Sequence, residues 1–316
     1  MLCQFTIGKF KSFKNESVLD LFAENIREHE KGLITDPYDG EAFLPVLSVY
    51  GPDKGGKYEV FEAFDFLSQR VLFPDNEVRS DSPVHLEVLF RVKEREYKYI
   101  FDYRQAVISE ECLYMRDLVS KKPDILFERI GTEYYLGPGL GSFELQDLNP
   151  SLSLLSCLSK SDKSNILNDA AAWFQSIRYV RYDDTLSLSY ENPFPILSDS
   201  LEKGGLLLLD DRGFQPDSNF FLRIIEMFKD PILNKKGAQL IFTSGDPTIM
   251  NSAVFRRDEI WFSAVNKNNE SMLYPLVLFK LNKENSVYID YGKEYTEGRY
   301  GADPDFKGFR SKEEDP

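Results

Sequence analysis

The stretch with the clearest chemical potential is Gly51–Tyr58, "GPDKGGKY". Gly51, Gly56 and Lys57 stand at the spacing of a phosphate-binding loop. Such a loop works because successive backbone N–H groups and a helix N-terminus point at phosphate, while the lysine reaches its terminal oxygens. Gly55 and Gly56 permit the tight turn, and Lys57 is the natural phosphate lysine. Position 58 departs from the pattern, which requires Ser or Thr to ligate Mg²⁺. Tyr58 carries its oxygen on a rigid ring and cannot bring it to that place. Asp53 would set a negative charge near phosphate, which Lys54 partly offsets. A second candidate is "LLLLDD", Leu206–Asp211, an apolar strand ending in acids. In phosphoryl-transfer sites the first such acid helps hold Mg²⁺, and the next often polarises the attacking water. Asp210 fits the first role. Asp211 occupies the second, one methylene short of the expected Glu. A strand that merely runs into an Asp-rich turn has the same appearance.

These residues need elements to position them. "FLPVLSVYG" is a short, nearly continuous apolar run, the pattern of a strand buried on both faces. "KYEVFEAFDFLSQRVLF" places Val60, Phe61, Phe64 and Leu67 on one helical face. The glycine-rich turn thus lies between a buried strand and a helix. Upstream, Phe5 and Ile7, then Phe10 and Phe13, alternate as a β-hairpin turning near Gly8, with another turn at Lys14-Asn15. Residues 22–41 read as a charged loop with one helical turn. From Val84 to about Phe143, short alternating segments separated by turns read as an antiparallel meander. "SLSLLSCLSK" and "SNILNDAAAWFQSIRYV" read as helices, the second with Ile166, Ala170, Trp173 and Phe174 on a stripe. The last third returns to α/β: "GGLLLLDDRG" and "AQLIFTSGD" as buried strands around the amphipathic helix "NFFLRIIEMF", then "DEIWFSAV" and "LYPLVLF".

Composition narrows the partners. The chain has 316 residues, 42% of them hydrophobic, enough for a full core. Its net charge of −14 argues against a nucleic-acid ligand, which needs a basic face, and favours a protein partner. No run approaches a membrane span. The opening residues lack an apolar signal core, so a cytoplasmic location is expected. Cys3, Cys112 and Cys157 are widely spaced and read as reduced thiols.

In their order, these parts resemble the ABC-like AAA ATPases related to the RecF, SMC and OLD-nuclease group, found in bacterial abortive-infection and anti-phage operons. The resemblance runs through "FTIGKFKSFKNESVLDL", "LPVLSVYGPDKGGK", "ECLYMRD", "ILFERIG", "LEKGGLLLLDD", "AQLIFTSGD", "FRRDEIWF" and "YTEGRYGADP". It implies an α/β fold: a P-loop NTPase with an ABC/SMC-head-like mixed sheet and an inserted antiparallel β meander. Residues 1–316 would form a single head. Residues 1–80 would hold the N-terminal strands, phosphate loop and helix; 81–150 the antiparallel β arm; 151–180 helices; and 181–316 the half with the second acid motif. Members of the family dimerise head to head with ATP between them.

Measured against that family, the departures concern hydrolysis. The metal hydroxyl is replaced by Tyr58, and the second acid is Asp211 rather than Glu. No Ser-x-Gly signature for a partner's γ-phosphate occurs in "SYENPFPILSDSLEKGG". Gly245 and Asp246 stand where the family places a γ-phosphate His, and Gly213 stands where it has an Asp after the acid pair. His29 and His85, the only histidines, read as solvent-facing. Losses of this kind commonly cost about 10²-fold each, because electrostatic preorganisation carries phosphoryl transfer. The nucleotide-binding residues would be Gly51, Lys54, Gly55, Gly56, Lys57 and Tyr58. Asp210 would be a vestigial Mg²⁺ ligand and Asp211 a vestigial catalytic acid. ATP and Mg²⁺ would bind weakly or not at all. The resulting expectation is a pseudo-ATPase serving as a structural or regulatory subunit. Its partner would be itself, an active ATPase paralogue or an effector nuclease. The alternatives are a slow Mg²⁺–ATP-dependent ATPase with an altered site, and a DNA-handling protein, which the charge disfavours. Arg256, Arg257 and Arg299 could be phosphate or partner contacts but read first as partners of local acids, whereas an exposed Trp261 or Tyr190 would mark an interface.

Overall fold

The computed structural model describes residues 1–73, 82–140, 149–160, 165–180, 194–212, 218–280 and 288–302. Its strands are β1 (Leu2–Gly8), β2 (Ser17–Asp20), β3 (Ile34–Thr35), β4 (Ala42–Phe43), β5 (Val46–Tyr50), β6 (Val84–Val92), β7 (Arg95–Arg104), β8 (Val107–Asp117), β9 (Pro123–Ile130), β10 (Glu133–Leu136), β11 (Arg178–Val180), β12 (Leu206–Leu209), β13 (Gln239–Ser244), β14 (Ile260–Val265) and β15 (Ser271–Pro275). Its helices are α1 (Lys57–Leu72), α2 (Leu154–Ser159), α3 (Ile166–Gln175), α4 (Phe194–Lys203), α5 (Ser218–Lys229) and α6 (Tyr291–Thr296).

The chain is α/β, with two large sheets. The six-stranded sheet has the order β11-β12-β13-β5-β14-β15. Its first five strands are parallel, and β15 closes the edge antiparallel to β14. Every residue of β5, β12 and β13 is buried. Their side chains alternate between two cores, as strands covered on both faces must. Leu47, Val49, Leu206, Leu208 and Ile241 face one apolar cluster. Val46, Leu207, Leu209, Leu240 and Phe242 face the other, which α4, α5 and α6 cover.

The antiparallel segments form a seven-stranded sheet, β10-β9-β8-β7-β6-β1-β2. The meander β6–β10 is continuous with the N-terminal strands, because β6 pairs with β1 from Leu2↔Phe90 to Gly8↔His85. Helices α1, α2 and α3 share the first core with this sheet and with one face of the parallel sheet. The Phe5 and Phe64 rings stack at 3.7 Å between β1 and α1. Val60, Phe61, Phe64 and Leu67, the stripe read on α1, are all buried.

Several expectations are corrected in detail. The hairpin of β1 returns through β2, not through Phe10–Phe13. Those two residues instead close a tight tip, exchanging backbone hydrogen bonds of 3.0 and 2.9 Å. Lys9 just before this tip and Lys11 within it take left-handed backbone conformations (φ 53° and 49°). The segment "LYPLVLF" is strand only as far as Pro275 and then a 3₁₀ turn over Leu276–Leu278. His85 is not solvent-facing. Its Nδ1 lies 2.6 Å from Asp102 Oδ1, and its Nε2 is 3.5 Å from Glu87 and 3.9 Å from Glu16. His29 is exposed, with Nε2 2.9 Å from the Ser252 carbonyl. Arg256 and Arg299 pair with the local acids Asp258 and Glu294, as read, whereas Arg257 pairs with Glu28, distant in sequence. Trp261 is buried, while Tyr190 lies outside the described residues. No disulfide joins Cys3, Cys112 or Cys157. Among the described residues no helix is long and apolar enough to cross a membrane.

Candidate functional site

The C-terminal ends of β5, β12 and β13 converge on one edge of the parallel sheet. The chain passes from β13 on one side of β5 to β14 on the other, and such reversals leave a crevice outside the strand ends. Gly51–Gly56 leaves β5 there, Asp210 and Asp211 follow β12, and Gly245 follows β13.

The loop is moulded onto β14 and β15. A Cβ on Gly51 would lie 2.2 Å from the Ser263 carbonyl oxygen, a backbone atom that cannot step aside. One on Gly55 would meet the same oxygen at 2.8 Å, and Ser263 Oγ donates to the Gly55 carbonyl. Gly56 has φ 94° and caps α1 without a side-chain hydrogen bond; a Cβ there would lie 2.6 Å from Ser271 Oγ. The glycines at 51, 55 and 56 are therefore required by close approach, and at 56 by backbone conformation as well. The Gly55 N–H closes a turn on Pro52 O at 2.8 Å.

Lys57 opens α1 and is almost completely buried. Its Nζ donates to Gly51 O at 3.0 Å and lies 3.6 Å from Asp53 Oδ1. Lys54 is exposed. The Tyr58 ring stands between two cations: Lys57 Nζ at 4.8 Å from its centroid and the Arg212 guanidinium at 4.6 Å. Burial, followed by the nearby carboxylates of Asp211 and Asp53 and a hydrogen bond to Asp211, pushes the Tyr58 hydroxyl well above the usual phenol range. It stays protonated at neutral pH.

The two acids are not equivalent. Asp210 is buried, and Arg212 grips it: Nε lies 3.1 Å from Oδ1 and 2.9 Å from Oδ2, and Nη2 lies 2.6 Å from Oδ2. The backbone N–H of Arg212 adds a bond of 2.9 Å to Oδ1. Arg212 Nη1 continues to Glu62 Oε1 at 2.8 Å, and Lys11 Nζ holds Glu62 Oε2 at 2.6 Å. Lys11, Glu62, Arg212 and Asp210 thus form an alternating chain from the β1–β2 tip, across α1, to the end of β12. Partial burial alone would lower the Arg212 pKa, but the bonds to Asp210 and Glu62 raise it further above its usual value. Asp211 is not in Arg212's grip and ties two strand ends together. It accepts from Thr243 Oγ1 at 2.6 Å and from the Gly245 N–H at 2.9 Å.

The donor set does not fit Mg²⁺. A hard dication needs several free oxygen ligands in near-octahedral order. Both Asp210 oxygens already accept guanidinium N–H bonds, the Tyr58 ring is packed against Arg212, and no group of three acidic, His or Cys side chains suited to a metal occurs among the described residues.

The structure therefore brings Gly51, Gly55, Gly56, Lys57, Tyr58, Asp210 and Asp211 to one edge and leaves Lys54 pointing outward. Sequence reasoning did not single out Arg212, Glu62, Thr243 or Ser263. A signal existed for two of them. Glu62 lies one turn beyond Tyr58 on α1, and Arg212 is a cation two residues after Asp210. No family model matches the chain, and no curated protein matches it.

Proposed function

We propose that this protein is a P-loop ATPase-like head of the ABC-like AAA branch that has lost hydrolysis, or nearly so, and acts as a structural or regulatory subunit. The observation that carries the reading is the contrast between the two halves of the site. The glycine loop leaves the end of β5 and runs into α1 at buried Lys57, the order of parts a phosphate loop needs, which supports the reading. The groups that would drive turnover are engaged elsewhere: Asp210 by Arg212, and Asp211 by Thr243 and Gly245. A carboxylate that already accepts two short hydrogen bonds is a poor base for water, because protonating it would break them. The partner on this reading is a protein, either a second copy, an active ATPase of the same kind or an effector nuclease, in keeping with the charge of −14. A role in phage defence follows only from the resemblance of the motifs.

The test is steady-state ATP hydrolysis by the purified chain, with Lys57→Ala as control. Turnover is expected at or below the background of that variant. An ordinary enzymatic rate that Lys57→Ala abolishes refutes the proposal. Calorimetric titration with Mg²⁺–ATP addresses the slow-ATPase alternative, which needs a saturable heat.

A further inference from the structure

We infer that Arg212 is the built-in counter-cation of this site: its guanidinium stands at Asp210 in place of a divalent metal and keeps one out. The inference rests on reading Gly51–Lys57 and Asp210 as one phosphate site. Its test does not use hydrolysis, so the two can fail separately.

The reason is electrostatic and geometric. Asp210 is 2% exposed, and a carboxylate so removed from water must be paired or neutralised. A metal site would meet that need with a dication. Here a planar fork meets it: the guanidinium covers both carboxylate oxygens and is oriented by the backbone N–H bond of the same residue. Its third edge takes Glu62, so Asp210 and Glu62 are answered by one cation, while Asp211 is held by Thr243 and Gly245. The Tyr58 ring lies against the guanidinium, the contact that aromatic faces make with arginine. Tyr58 thus has a role that Ser or Thr could not fill. It packs the arginine that replaces the metal, so the departure at 58 and the arginine at 212 form one compensated pair. The ligand class follows. A phosphate anion reaching the loop would do so metal-free, on Lys57 and the loop amides, with Arg212 as the fixed positive charge at its side.

Removing the guanidinium should expose what it satisfies. Asp210 and Glu62 both contact the same guanidinium, so they lie close enough to share one hydrated dication. The experiment uses the full chain and Mn²⁺, whose bound and free forms electron paramagnetic resonance distinguishes. Wild type is expected to show no saturable site at millimolar Mn²⁺ and no rise in Tm beyond that given by NaCl of equal ionic strength. Arg212→Gln is expected to lose several degrees in Tm, bind one Mn²⁺ at least about tenfold more tightly than wild type, and regain part of its Tm with the metal. Adding Asp210→Asn should abolish the gain. A saturable Mn²⁺ site in wild type that Asp210→Asn removes overturns the inference, as does a folded Arg212→Gln that binds no better than wild type. Should Arg212→Gln fail to fold even with Mn²⁺, nuclear magnetic resonance of wild type decides. The Arg212 Nε–H signal should stay sharp under Mn²⁺, and saturable broadening would overturn the proposal.

Discussion

At the scale of single residues, the loop's glycines are fixed by what lies behind them. Gly51 and Gly40 make a useful contrast. A Cβ on Gly51 would be driven to 2.2 Å from the Ser263 carbonyl oxygen, whereas one on Gly40 meets nothing within 4 Å and faces only a φ of 79°. Gly51→Ala is expected to cost about 2–4 kcal/mol, since the strand backbone beneath it must move. Gly40→Ala should cost about 1 kcal/mol, the penalty of a left-handed alanine. Urea denaturation of both variants checks this. Equal losses would show that backbone conformation, not contact with β14, constrains the loop. The residue scale also explains why Asp210 and Asp211 diverge. Neighbours in sequence at a strand end point to opposite sides, so one meets Arg212 and the other meets Thr243.

At the scale of elements, a buried acid holds the antiparallel sheet to a neighbouring helix, and a histidine ties the sheet's own strands together. Glu111 on β8 is fully buried and caps α2: it accepts from the Leu154 and Leu155 N–H groups at 2.7 and 3.0 Å, from Ser153 Oγ and Tyr99 OH at 2.8 Å, and faces Arg129 Nη1 at 3.6 Å. Glu111→Gln should lose about 3–5 kcal/mol, because it leaves the buried Arg129 without a counter-charge. A denaturation midpoint unchanged from wild type would contradict that assignment. His85 on β6 joins Asp102 of β7, Glu87 of β6 and Glu16 just before β2, with Lys98 of β7 on the far side of Glu87. The hydrogen bonds to Asp102 and then Glu87 raise His85 from its ordinary 6.5 to about 10. A raised folded pKa stabilises fully below the unfolded value and is lost as pH climbs through the folded one. The Tm difference between wild type and His85→Gln is therefore expected to be largest near pH 6 and to shrink progressively toward pH 10. A difference constant across that range would show that folding does not raise the His85 pKa.

At the scale of the whole molecule, Arg256 fastens the N-terminal third to the C-terminal third. It is fully buried, bonds Asp258 at 3.0 and 2.7 Å, and donates to the carbonyls of Glu24, Ile26 and Glu28, more than two hundred residues away in sequence. Asp258 returns a bond from the Glu24 N–H at 2.9 Å. Arg256→Met should cost about 3–5 kcal/mol, leaving Asp258 and three carbonyls without their donor. A loss under 1 kcal/mol, measured by denaturant midpoint and slope, would mean the segment at 24–28 is held by other contacts. Much of the framework is legible in the sequence alone. The continuous apolar runs of β5, β12 and β13 and the helical stripe of α1 follow from local period and burial, which a sequence carries directly. The phosphate-loop spacing and the acids after "LLLL" were visible for the same reason, each being a short contiguous pattern. The hairpin return through β2, the partnership of His85 and the seven-stranded sheet were not, because pairing depends on which distant edge offers hydrogen bonds. The sequence by itself determined the order of the glycine loop, Lys57 and the acid pair along the chain. Only the tertiary structure decided what those residues are bound to, since Lys11, Glu62, Arg212 and Asp210 lie on separate elements and become one charge chain only when α1, the β1–β2 tip and the end of β12 are packed together.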